Sequence, residues 1–100
     1  MVKHVVFFKI REEFTDSKDF ACQDIIDVLK ELPDKIDIIR GYELGINFAE
    51  KETAYDLCLI SVFDSEEDLD TYRVHPEHVA AVEKIRRYID KTAFVDFKIS

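Results

Sequence analysis

Two segments of this chain, residues 2–10 and 55–63, alternate at the two-residue period of a β-strand yet are apolar on both sides. In the first, parity places Val2, His4, Val6, Phe8 and Ile10 on one face and Lys3, Val5, Phe7 and Lys9 on the other. In the second, Leu57 and Leu59 share one face, while Cys58, Ile60 and Val62 share the opposite one. Strands of this composition, rich in β-branched and aromatic residues, belong at the centre of a sheet. A sheet built around them has to be covered above and below.

The segments between and beyond these two set the topology. Thr15, Asp16 and Ser17 are candidate N-caps for a helix reaching Leu32 and stopping at Pro33, with Cys22, Ile25, Ile26, Leu29 and Leu32 as its apolar stripe. Residues 36–48 read as a less regular strand; both glycines, Gly41 and Gly45, fall in it, which suggests a bulge or an edge. After a loop and the second apolar strand, Asp64 with Glu67, or Ser65 with Asp68, resembles a capping box opening a short helix that carries Leu69 and Tyr72. His75-Pro76 ends that helix, because a residue before proline avoids the α region. Pro76 then suits the first turn of a further helix, with Val74 and Val79 at staple positions and Val79, Val82, Ile85 and Ile89 as the buried stripe. Residues 92–99 form a last strand.

The order β-α-β-β-α-β predicts an α+β fold, a ferredoxin-like protomer with a four-stranded antiparallel sheet and both helices on one face. The whole of residues 1–100 is expected to make a single domain. That leaves Val5, Phe7, Cys58, Ile60, Val62, Val95 and Phe97 on a face with no helix. Burying a large apolar side chain stabilises by roughly 1.5–3 kcal/mol, so leaving this set wet forgoes on the order of 10 kcal/mol, even allowing for a compact unfolded state. A domain's whole net stability is only about 5–15 kcal/mol. These residues are therefore expected to form the interface of a homodimer joined sheet to sheet with twofold symmetry.

Charge and cysteine usage narrow the partners. Fourteen basic against twenty-two acidic side chains leave a net charge of −8, which repels phosphate backbones and anionic lipid. Nucleic acid and membranes are not expected partners, and a soluble, cytoplasmic protein is. Cys22 and Cys58 lie in separate apolar periodic segments, where a free cysteine acts as a small buried hydrophobe. His75 and His78 have a spacing that metals sometimes use, but Pro76 separates their backbone regimes. The reading expects no metal and no cofactor.

The chemistry-bearing residues are His4, Tyr72 and His78. His78 stands third in the helix opened by Pro76, where the positive end of the helix dipole disfavours imidazolium. Tyr72 comes from the preceding helix and His4 from a central strand, with Val6, Phe8, Leu57, Leu59 and Phe94 as the expected apolar walls. Two imidazoles and a phenol on such a wall suit a small hydrophobic ligand, or proton transfer on a carbonyl compound. Packing alone also explains two of them: a strand histidine is often a core residue bonded to backbone, and Tyr72 continues the stripe of Leu69. A purely structural stress-interaction dimer, with no pocket, is the remaining alternative.

Three stretches carry a family resemblance: residues 2–10, residues 55–69, and Tyr72-Arg73-Val74-His75-Pro76-Glu77-His78-Val79. Together they resemble the stress-responsive dimeric α/β-barrel (Dabb) family, over essentially the whole chain. The resemblance implies a ferredoxin-like protomer and a homodimer whose two sheets face each other as a barrel. Most such proteins have no assigned activity. One plant branch, the olivetolic acid cyclase type, implies an aldol condensation with His78 as general base, Tyr72 bonded to a substrate carbonyl, and His4 beside them. A further active-site histidine of that branch falls at Leu57 here.

Overall fold

The computed structural model describes residues 1–99. β1 (Val2–Ile10) leads through a 3-10 turn (Glu12–Ser17) into α1 (Lys18–Leu29) and the single-turn α2 (Leu32–Lys35). β2 (Gly41–Ile46) and β3 (Leu57–Phe63) follow, then α3 (Glu66–Val74), α4 (Pro76–Ile85), a 3-10 turn (Arg86–Tyr88) and β4 (Ile89–Lys98). The strands form one antiparallel sheet in the order β2-β3-β1-β4. The two segments that are apolar on both sides are thus the central pair, and the helices lie on one face. The fold is ferredoxin-like α+β, as the element order implies.

Burial along the strands follows parity. β3 alternates strictly between buried and half-buried, with Leu57, Leu59, Ser61 and Phe63 under the helices. β1 buries Val2, His4, Phe8 and Ile10 on the same side. Ala21, Cys22, Ile25 and Leu29 of α1, Leu69 and Tyr72 of α3, and Ala81 and Ile85 of α4 complete the core. The molecule is a slab of 39 × 27 × 17 Å, one helical layer on one sheet.

Several boundaries depart from the expected ones, each for a local reason. The first helix does not run to Leu32: α1 ends at Leu29, and Pro33 opens α2, where its missing N–H is no loss. Ser17 makes no side-chain cap. The start of α1 is instead tied to the sheet by buried Asp56, whose carboxylate accepts from the Ile10 amide at 2.8 Å and pairs with Lys18 at 3.2 Å. β2 is shorter than residues 36–48 and lies at an edge, as its glycines suggest. At Gly41 a Cβ would sit 3.0 Å from Val62 Cγ2, so glycine is what lets the two strands pack there. The bulge lies elsewhere, at Lys9/Ile10 against β4, and it carries β4 back to Ile89. Ile89 therefore belongs to the last strand rather than to the stripe of α4.

Val74 and Val79 form no buried staple; both are exposed. The α3–α4 junction is held by polar caps instead. Ser65 Oγ accepts from the Asp68 amide at 3.1 Å, and His75 Nδ1 accepts from the Glu77 amide at 3.1 Å. Asp64, the alternative cap, pairs with Arg40.

Candidate functional site

The corner between α3 and α4 positions the site. His75 is extended, with φ −61° and ψ 133°, because Pro76 follows it, and the chain turns there. That turn returns His78 over the end of α3, where its Nδ1 lies 3.1 Å from the Arg73 carbonyl oxygen. A carbonyl only accepts, so Nδ1 carries the proton and donates; in the neutral ring Nε2 is left as an acceptor. His78 titrates below its ordinary value. The main cause is burial, with smaller contributions from His4, His75 and Arg73 against an opposing hydrogen bond to the Arg73 carbonyl. Burial is thus the largest cause of the lowered value.

His4 is reached from the sheet. Its register partner across β1 and β4 is Asp96, and His4 Nδ1 hydrogen-bonds that carboxylate. Arg73 of α3 takes the other carboxylate oxygen of Asp96 and also lies 3.4 Å from Asp70. Burial alone would raise the Asp96 pKa; the hydrogen bonds from His4 and Arg73 outweigh it and hold the carboxyl below its usual range. Asp96 thereby fixes the His4 ring and leaves Nε2 as its free nitrogen. Among the described residues, neither Nε2 has a protein hydrogen-bond partner.

Tyr72 lies between the two imidazoles. Its ring centroid is 4.3 Å from that of His78, 6.4 Å from that of His4 and 4.9 Å from that of Phe63. It is 1% exposed, and its hydroxyl is buried with no hydrogen-bond partner among the described residues. The Tyr42 hydroxyl, which donates to the Leu29 carbonyl at 2.9 Å, is near enough to temper the Tyr72 pKa but outside hydrogen-bonding geometry. Burial pushes Tyr72 up to about 12, so it is a neutral donor near pH 7. A buried hydroxyl without a partner costs about 1–3 kcal/mol, which is a reason to look for what it serves.

These side chains line one cavity of about 330 Å³ between helices and sheet. Val6, Phe8 and Leu59 line it from the central strands, and Phe94 from the edge strand β4, where it is 61% exposed. Leu57, expected in the same wall, is not part of it. It is buried in the core one pair further along β3, beside Gly45 and Ile46 of β2. Arg73, Val82, Ile85, Arg86 and Thr92 line the cavity as well, and the sequence reading did not single them out for it. Strand parity could have found Asp96, two residues beyond Phe94 on the same face. Helical spacing could have found Val82 and Arg86, four and eight residues beyond His78.

His75 does not join His78 in a metal pair, since its ring caps its own helix. Among the described residues no cluster of three or more His, Cys, Asp or Glu side chains could hold a metal ion. Cys22 and Cys58 are free, the first buried and the second half-buried. No helix of the described residues is long and apolar enough to cross a membrane.

On the open sheet face, Val5, Cys58, Ile60 and Val62 are half-buried. Phe7, Val95 and Phe97 are 38%, 57% and 45% exposed. All of them share that one face.

Comparison with known proteins bears on fold and family. A dimeric protein of unknown function and ferredoxin-like fold from Bacteroides fragilis superposes with a TM-score of 0.87 and 34% identity, covering 98% of this chain and 95% of that one. The olivetolic acid cyclase of Cannabis sativa is 25% identical over 97 residues, 96% of this chain and 94% of its own length. The stress-response A/B barrel domain-containing protein DABB1 of Arabidopsis thaliana is 29% identical over 99 residues, 97% of this chain and 46% of its own length. The stress responsive A/B barrel domain (Dabb) family matches residues 2–99, and the chain belongs to that family.

Proposed function

We propose that this protein is a homodimer, joined through its open sheet faces, in which each protomer binds a small hydrophobic molecule between helices and sheet. The observation that carries the binding role is the convergence of His4, Tyr72 and His78 on one largely apolar cavity. Its volume lies near the lower end of the roughly 300–1,000 Å³ usual for ligand sites. The His78 Nε2, without a protein hydrogen-bond partner among the described residues, is the acceptor that a ligand donor would satisfy. The dimer is supported by the apolar open face and by the dimeric Bacteroides relative at 34% identity. Free Cys22 and Cys58 suit a reducing compartment, and we place the protein in the cytoplasm. The net charge of −8 makes nucleic acid an unsuitable partner.

A second reading is proton-transfer or aldol chemistry in the same cavity. It is favoured by the state of the two imidazoles: each has Nδ1 committed to a fixed acceptor, which leaves Nε2 to take a proton. His78, depressed by burial, would be the general base, and Tyr72 the donor to a carbonyl oxygen in which charge develops.

A thermal-shift screen with polyketide-like and fatty-acyl compounds, on wild type and His78→Ala, tests the binding role. Compounds that raise the wild-type Tm and fail to raise that of the folded variant are the expected result. A screen in which nothing stabilises the wild type, or everything stabilises both alike, overturns it. Mass spectrometry of the stabilising compounds then tests the chemistry. Product from wild type and none from His78→Ala is expected; equal turnover by both contradicts His78 as base.

A further inference from the structure

The charge of the cavity differs from that of the molecule. The chain has a net charge of −8, yet no aspartate or glutamate lines the cavity, whereas Arg73 and Arg86 both do. Asp96, which does not line the cavity, is already paired with Arg73 and accepts a hydrogen bond from His4. Arg73 is committed to Asp96 and Asp70. Arg86 is not. Its one ion pair is to Glu83 at 2.8 Å, with both side chains about two-thirds exposed. A pair that wet, one helical turn apart, is worth little and exchanges readily.

The site is also long. His78, Val82 and Arg86 recur at every fourth residue along α4 and its 3-10 extension, so they line one stripe. Eight residues of helical rise separate the first from the last by about 12 Å. A hydrogen-bonding side chain, His78, therefore lies at one end and a guanidinium at the other, with Val82, Ile85 and Leu59 also lining the cavity.

Resting on the reading that this cavity binds a ligand, we infer that the ligand is an anionic amphiphile, specifically a medium-chain carboxylic acid. Its carboxylate pairs with Arg86 at the outer end, in the planar two-point geometry that guanidinium offers. Its apolar chain lies along Val82 and Leu59. A polar group near the far end of that chain meets the His78 imidazole. The global negative charge does not prevent this, because at physiological ionic strength it is screened beyond about 8 Å, while the guanidinium acts at contact.

Isothermal titration with decanoate and with the uncharged 1-decanol, at low and high salt, tests the inference on wild type, Arg86→Gln, Arg86→Glu and the outward-facing control Lys84→Glu. Arg86 is exposed, so circular dichroism is expected to show all variants folded. Wild type is expected to prefer decanoate about tenfold, with a preference that salt weakens. Arg86→Gln abolishes that preference, Arg86→Glu reverses it, and Lys84→Glu leaves it in place. Equal binding of the two compounds by wild type, or a preference untouched by Arg86→Glu, overturns the anionic ligand while leaving the cavity's binding role intact. If neither compound binds wild type at all, the inference falls together with the binding role.

Discussion

The two faces of this sheet are made from the same four strands, often from adjacent residues, and they differ in kind. The covered face is apolar with polar groups set into it. His4 is held by Asp96, Ser61 is fully buried, and Tyr72 comes down from α3 with its hydroxyl unpartnered. The open face has an apolar centre along β1 and β3, Val5 and Phe7 beside Ile60 and Cys58, flanked by Val95 and Phe97 on β4, with Lys3 and Lys9 towards the ends of β1. Burying polar groups demands hydrogen-bond partners and so shapes a specific site, whereas an apolar centre asks only to be covered. In the proposed function one side of the sheet recognises a small molecule and the other a second sheet.

Substitutions that treat the faces unequally test this division. Ile60→Asp places a carboxylate at the centre of the open face, and we expect it to weaken the dimer by about 4 kcal/mol or more, seen as dissociation in sedimentation velocity. A secondary structure retained in the variant would locate the damage at the interface. Leu57→Ala, one face over on the same strand, is expected to cost about 3 kcal/mol of unfolding stability in denaturant titrations while leaving association unchanged. If Leu57→Ala dissociated the dimer and Ile60→Asp did not, the assignment of faces would be reversed.

Smaller changes sharpen the picture within the covered face. Tyr72→Phe removes a hydroxyl that has no protein partner, so the free protein should be as stable as wild type or up to about 1 kcal/mol more stable. A clear loss of stability without ligand would mean that the hydroxyl already has a structural partner. The smallest effect concerns His78. Its folded pKa lies below the ordinary 6.5, so between those two values the unfolded chain binds more protons than the folded one. Stability from this group is therefore complete above pH 6.5 and declines as pH falls toward the folded value. NMR titration of the imidazole should give a midpoint below 6.5, and His78→Gln should flatten that part of the stability profile; a midpoint above 6.5 would contradict the burial of the ring.

Much of this was legible in the residues. Period-two alternation separated the faces correctly at every residue from Val2 to Ile10, because a strand's side chains have only two directions to take. Pro76 marked the corner that returns His78 over α3. What parity and spacing could not supply were distances between elements. The Arg73–Asp96–His4 chain joins α3, β4 and β1, and Leu57 sits on the right face but one pair too far along β3 to reach the cavity. The cause of the low His78 pKa was likewise hidden, since burial is a property of the packed helices and not of a helix end. Helix limits shifted where a tertiary tie, Asp56 to Lys18 and Ile10, replaced the local cap that Ser17 offered.

The most direct measurement is the mass of the wild-type particle in solution at micromolar concentration, by light scattering coupled to size exclusion. Cover for both faces of the sheet predicts twice the 11.7 kDa of the chain. A single species of 11.7 kDa, with Phe7, Val95 and Phe97 open to solvent labelling, would contradict it.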